Sequence, residues 1–158
     1  MTKAVSILGL AISIGACLLA GFLGSLFTAR SVGTWYLTLV KPAWNPPSYV
    51  FGPVWTALYL MMGTAAWLVW RKAGFAPALP LALFAIQLVL NFGWSLLFFG
   101  LHRPDLAFAE IIALWCLILA TTIAFWRVVP AAAYLMLPYL AWVTFASALN
   151  FAIWRLNP

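Results

Sequence analysis

The sequence predicts an all-α integral membrane protein, a bundle of five transmembrane helices. Three observations carry this. Of 158 residues, 67% are hydrophobic and only 6% are charged, against roughly 25% charged in a soluble domain; such a chain lacks the charge to cover a water-facing surface. Its mean hydropathy is +1.09. Its apolar stretches are long and unbroken, near the about 20 residues that a helical span needs, and lack the alternating segments of about 10 residues that mark a transmembrane barrel. Lipid cannot hydrogen-bond to an exposed backbone, and a helix satisfies its own.

The five spans follow in order. The first runs over about 4–29 and has small residues at helical spacing, Gly9, Ser13, Ala16, Ala20 and Gly24, the pattern that lets helices approach closely. A rival reading takes Lys3 and the run up to Cys17 as a lipoprotein signal, but the apolar run continues well past that cysteine, beyond the 7–15 residues of a signal core. The second span, about 49–70, stops at Arg71-Lys72. The third, about 78–101, tolerates Pro80 in its first turn. After His102-Arg103-Pro104, Asp105 is the expected N-cap of the fourth span, which ends near Trp126. The fifth, about 131–156, crosses Pro138, where a bend is expected. Residues 1–158 read as one five-helix transmembrane domain, with a lid-like loop at about 30–48 as the only long connection. No repeat is evident, which argues against a transporter built from inverted repeats.

Composition also excludes functions. The net charge of +6 comes from basic residues scattered singly at span ends, which suits interfacial anchoring rather than nucleic-acid binding. Lys3, Arg71, Lys72 and Arg127 fall on one side and Arg30, Lys41, Arg103 and Arg155 on the other, so the positive-inside rule leaves the orientation open. Cys17 and Cys116, each within an apolar stretch, read as small buried hydrophobes. One histidine, His102, and two acids, Asp105 and Glu110, cannot form a catalytic triad or a metal-ligand cluster, so acid–base or nucleophilic catalysis is not expected. Glu110, near a span end, is expected to reach interfacial water.

The aromatic residues say more. Ten tryptophans are present. Trp67, Trp70, Trp126 and Trp154 fit an interfacial belt, whereas Trp142 lies about half a span deep. Gln87, Asn91, Trp94 and Phe98 share one face of the third span. Tyr139, Trp142, Ala146, Leu149 and Ile153 share one face of the fifth, with Asn150 at its edge. Amides in lipid need partners, so both faces should point inward, either as interhelical glue or as the wall of a small-molecule site. Above them lies KPAWNPPSYVFGPVW, residues 41–55, with four prolines and two tryptophans. Such a stiff, aromatic connection is expected to fold down over the bundle as a lid.

These segments carry a resemblance. WY-x₄-KP-x-W-x-PP at 35–47, Gly52-Pro53-Val54-Trp55 with Leu58-Tyr59, then Gln87, Asn91, Trp94 and Phe98-Phe99-Gly100, and finally Pro138 to Trp142 with Phe145-Ala146 and Leu149-Asn150 resemble the tryptophan-rich sensory protein and translocator protein family, also called the peripheral benzodiazepine receptor family. The resemblance spans nearly the whole chain. It implies a homodimeric five-helix membrane protein with a pocket under the first loop that binds protoporphyrin IX, haem and benzodiazepine-site drugs. In bacterial relatives it implies regulation of tetrapyrrole metabolism. Some relatives promote light-dependent breakdown of protoporphyrin, and the two tryptophans implicated match Trp35 and Trp142, the candidate photochemical residues. Pocket positions of the family match Trp55, Asn91, Ala146 and Leu149; with Trp35, Tyr36, Pro47, Tyr59, Trp94, Phe98 and Trp142 they complete the expected ligand-binding set. No built-in cofactor and no metal are expected, with porphyrin or haem as ligand and membrane lipid as surroundings. Indole faces stack on a flat macrocycle, and Arg30 or Lys41 at the loop could pair with a propionate.

Two departures bear on ligands. Phe151 stands where the sterol-recognition pattern of animal relatives has a tyrosine, which puts sterol binding in doubt. Leu106 replaces a tryptophan of those relatives, a difference expected to alter drug affinity. The short C-terminus and the sterol departure suggest a bacterial member. The leading expectation is a membrane tetrapyrrole sensor or regulator with possible photo-oxidation; a transporter of porphyrins or other amphiphiles and a structural subunit are the alternatives.

Overall fold

The computed structural model describes residues 2–76 and 78–157; the expected range 1–158 includes Met1, Pro77 and Pro158, which lie outside the described residues. Five long helices, α1 (Lys3–Ser31), α3 (Ser48–Ala73), α4 (Leu79–Ser95), α5 (Pro104–Trp126) and α6 (Pro130–Leu156), are joined by short turns except between α1 and α3, where a one-turn helix α2 (Trp35–Thr38) interrupts the loop. A π-helical turn, Leu96–Gly100, extends α4 to span length. All five long elements are apolar and long enough to cross a membrane, and the chain is an integral, multi-pass membrane protein.

The packing closes a ring in the order α1, α3, α6, α5, α4 and back to α1. Small residues set the closest approach. A Cβ on Gly63 would lie 2.6 Å from the Ile14 Cα, so α1 and α3 touch backbone to backbone there. Gly9 faces the Trp70 ring and Gly21 the Tyr59 ring at similarly close range. The Trp67 indole, expected only at the interface, also donates to the Ser6 carbonyl at 2.8 Å and ties α3 to α1. Away from this seam the core is a layer of Met62, Val69, Ile118, Phe125 and Met136, with Phe84 and Phe125 stacked at 5.8 Å between α4 and α5.

Three local expectations are corrected. Asp105 does not cap α5: Arg103 is the N-cap and Pro104 opens the helix, because proline's missing N–H costs nothing at that position. Asp105 instead accepts two hydrogen bonds from the Arg103 guanidinium, at 2.8 and 2.6 Å. Cys17 is buried, but Cys116 is exposed on the outer surface, since a lipid-facing position is as apolar as the core. Glu110 does not reach the interface: both its carboxyl oxygens are buried without a partner among the described residues. The carboxyl lies against α4 near Gly93, where an added Cβ would be 3.7 Å from Oε1.

Candidate functional site

A cavity of about 440 Å³ lies inside the ring, below the α1–α3 connection, within the range of small-molecule sites. Its wall draws on four helices and the loop. α3 supplies Phe51, Trp55 and Tyr59, α4 and its π-turn supply Asn91, Trp94, Phe98 and Phe99, and α6 supplies Trp142, Ala146, Leu149 and Asn150. The loop contributes Tyr36, and α1 contributes Leu18, Gly21, Phe22 and Ser25. No charged side chain is among the lining residues.

The aromatic rings are locked against one another. Trp94 stacks on Phe98 at 5.0 Å and Trp55 on Tyr59 at 5.5 Å, while Trp142 meets Phe51 edge-on at 5.8 Å. Most of the polar side chains in the wall are hydrogen-bonded. Tyr59 donates to Asn91 Oδ1 at 2.6 Å, Asn91 Nδ2 donates to the Tyr139 hydroxyl at 2.9 Å, and Tyr139 donates to Gln87 Oε1 at 3.0 Å. This chain runs from the cavity wall into the core. Asn150 accepts from Trp94 Nε1 at 2.9 Å and donates to the Pro104 carbonyl at 2.8 Å. Hydroxyls of Ser25, Thr28 and Thr56 are turned back onto carbonyls of their own helices. Trp142 Nε1 alone among the lining side chains is a buried donor without a partner.

Nine of the eleven expected ligand-binding residues line this cavity: Tyr36, Trp55, Tyr59, Asn91, Trp94, Phe98, Trp142, Ala146 and Leu149. Pro47 and Trp35 are not among the lining residues. Trp35 meets Phe98 edge-on at 5.7 Å and stacks on His102 at 4.2 Å, so Phe98 is the lining ring that it supports. Lys41 is folded back, its ammonium bonded to the Leu39 carbonyl at 3.0 Å and set over the Tyr36 ring. Arg30 is exposed at the end of α1.

The family model that describes the TspO/MBR family matches residues 13–155. The chain belongs to that family. Among relatives, it is 51% identical to the tryptophan-rich protein TspO of Chlorobaculum tepidum, over 96% of this chain and 98% of the relative. It is 42% identical to the human translocator protein, over 86% and 82% of the two chains, and 40% identical to the protein CrtK of Rhodobacter capsulatus, over 90% and 89%. Within this TspO/MBR chain, the motif residues of α3, α4 and α6 converge on one cavity. Sequence reasoning missed the α1 wall, because its lining residues are apolar, small or, as Ser25 and Thr28, hydroxyl residues that a helix satisfies on its own carbonyls and that mark no inner face. It also missed the environment of His102, whose partners are distant in sequence.

Proposed function

We propose that this protein is a membrane receptor for a flat, largely apolar ligand of the tetrapyrrole class, protoporphyrin IX or haem, held beneath the α1–α3 loop acting as a lid. One observation carries the reading: an uncharged, aromatic-walled cavity has in its wall a buried hydrogen-bond donor without a partner among the described residues, Trp142 Nε1. A buried donor left unpaired costs about 1–3 kcal/mol, a penalty that a ligand with an acceptor relieves. The half-buried rings of Trp55 and Trp94 offer stacking surfaces. The absence of charge in the wall suits binding and sensing over acid–base turnover. Light-driven oxidation of a bound porphyrin would need dioxygen as the oxidant; Trp142 is the tryptophan of the candidate pair that lines the cavity, with Trp35 one ring further away behind Phe98.

The test is a dark titration with protoporphyrin IX, followed by tryptophan fluorescence, in wild type and Trp142→Phe. Saturable quenching is expected, with affinity about two- to tenfold weaker in the variant, the equivalent of one net hydrogen bond. Linear quenching, identical in both proteins, would overturn the proposal. If saturable binding is found, illumination of the same samples tests turnover.

A further inference from the structure

His102 occupies a backbone conformation that is uncommon for any residue but glycine. Its φ of 54° makes it the sole non-glycine residue in the left-handed region among those described. It follows Leu101, the cap of the π-turn, where helices commonly place glycine. The side chain is held from two directions. His102 Nε2 lies 3.0 Å from Ser31 Oγ at the end of α1. Ser31 already donates its one proton to the Phe99 carbonyl at 2.6 Å, so the imidazole must be the donor, with the hydrogen on Nε2. The ring then lies parallel to the Trp35 indole, 4.2 Å between centroids and 13° between planes.

Trp35 begins α2, and the next residue, Tyr36, lines the cavity and donates to Asn45 further along the loop at 3.0 Å. The edge of Trp35 meets Phe98 in the cavity wall. Ser31, His102 and the Phe99 carbonyl therefore join α1 to the α4–α5 turn, and the loop rests on them through the Trp35 indole, with the Tyr36 ring beside it on Phe99 at 5.7 Å.

We propose that His102 is the positioning residue of the loop: its imidazole seats Trp35, and this stack controls how often the loop opens over the cavity. The inference rests on reading the cavity as a ligand site only for its consequence on ligand exchange; the seating itself is a property of the free protein. Its logic runs from a backbone outlier to a role. A glycine would fit the turn more easily, so the role of the imidazole is sought in what its ring and N–H contact.

Three variants separate the ring from the turn. His102→Gly and His102→Asn both tolerate positive φ and remove the ring; Ser31→Ala keeps the ring and removes its anchor. Hydrogen exchange across residues 32–47 is measured on the full chain in nanodiscs without ligand. Exchange is expected about three- to tenfold faster in the Gly and Asn variants, the loss of one aromatic pair, and intermediate in Ser31→Ala. Emission of Trp35, isolated by subtracting the spectrum of the matching Trp35→Phe protein, is expected to change in both ring-less variants. If His102→Gly matches wild type in both measurements, the residue only forms the turn and the proposal is overturned. Stopped-flow mixing with protoporphyrin IX then reads the consequence: association and dissociation both faster, with the dissociation constant changed less than either rate. Unchanged porphyrin rates in a variant with a faster-exchanging loop would overturn control of access. Failure of wild type to bind porphyrin would overturn the proposed function while leaving the loop seating to stand on its exchange data.

Discussion

Asn91 accepts the phenolic hydrogen of Tyr59 at 2.6 Å, and through its amide nitrogen it holds the Tyr139 hydroxyl, which in turn reaches Gln87. One side chain thus links the cavity wall on α3 to the core of α6. The two tyrosines are not equivalent. Tyr59→Phe removes one bond at the cavity edge, and a cost of about 0.5–1 kcal/mol is expected, in line with interhelical hydrogen bonds in membranes. Tyr139→Phe orphans both Asn91 Nδ2 and Gln87 Oε1 in the interior, and about 1–3 kcal/mol is expected. Thermal unfolding in detergent should rank Tyr139→Phe as clearly the less stable; equal midpoints would show that the chain does not bind the helices together.

The α1–α3 seam gives a sharper steric prediction. The atom nearest to a Cβ on Gly63 is backbone, the Ile14 Cα, and no rotamer change can move it. Gly63→Ala should push α1 away and cost about 1–3 kcal/mol. A Cβ on Gly52 of the same helix meets nothing within 4 Å, and Gly52→Ala should stay within about 0.5 kcal/mol of wild type. Equal losses in the two variants, read by thermal unfolding, would mean that the seam is looser than its geometry.

Legibility followed the chemistry. Long apolar runs mark spans, and amides in lipid must face inward, so Gln87, Asn91, Trp94 and Phe98 could be aligned on one inner face from spacing alone. Glu110 was not legible in this way, because its nearness to a span end suggests water, and only the packing of α5 against α4 buries its carboxyl. Trp35 was legible as important but not as a ring behind the cavity wall, since only the folded π-turn brings Phe98 and His102 against it. The π-turn itself has no periodicity signal: five apolar residues continue an apolar helix.

Alkaline pH should loosen the loop through Tyr36. Burial raises its phenol above the ordinary value of 10.0, the larger of the opposed effects on it. A folded-state pKa raised above the unfolded one means that the folded protein holds the proton more tightly. The stability this contributes is complete below the unfolded pKa and is lost as pH climbs through the folded one. Hydrogen exchange of residues 32–47, corrected for its intrinsic pH dependence, should therefore accelerate above about pH 10, and Tyr36→Phe should abolish that step. A step of equal size in the phenylalanine variant would assign it to another group.

The loop has a second, independent fastening at its far side. Asn157, just past α6, accepts from the Val40 N–H and donates to the Val40 carbonyl, both at 2.9 Å, a pairing that imitates a strand partner. Asn157 Nδ2 also donates to the Ile153 carbonyl at 2.8 Å, so the side chain is held before the loop arrives. These bonds are exposed, and each contributes about 0.5–1.5 kcal/mol at most. Asn157→Ala should speed exchange at residues 39–41 several-fold while leaving the Trp35 emission unchanged, because the indole is seated at the other end on His102. Asn157→Asp keeps the acceptor for the Val40 N–H but loses the amide donor, and it should fall between wild type and alanine. If alanine also shifts the Trp35 emission, the loop moves as one rigid piece and the two fastenings are coupled.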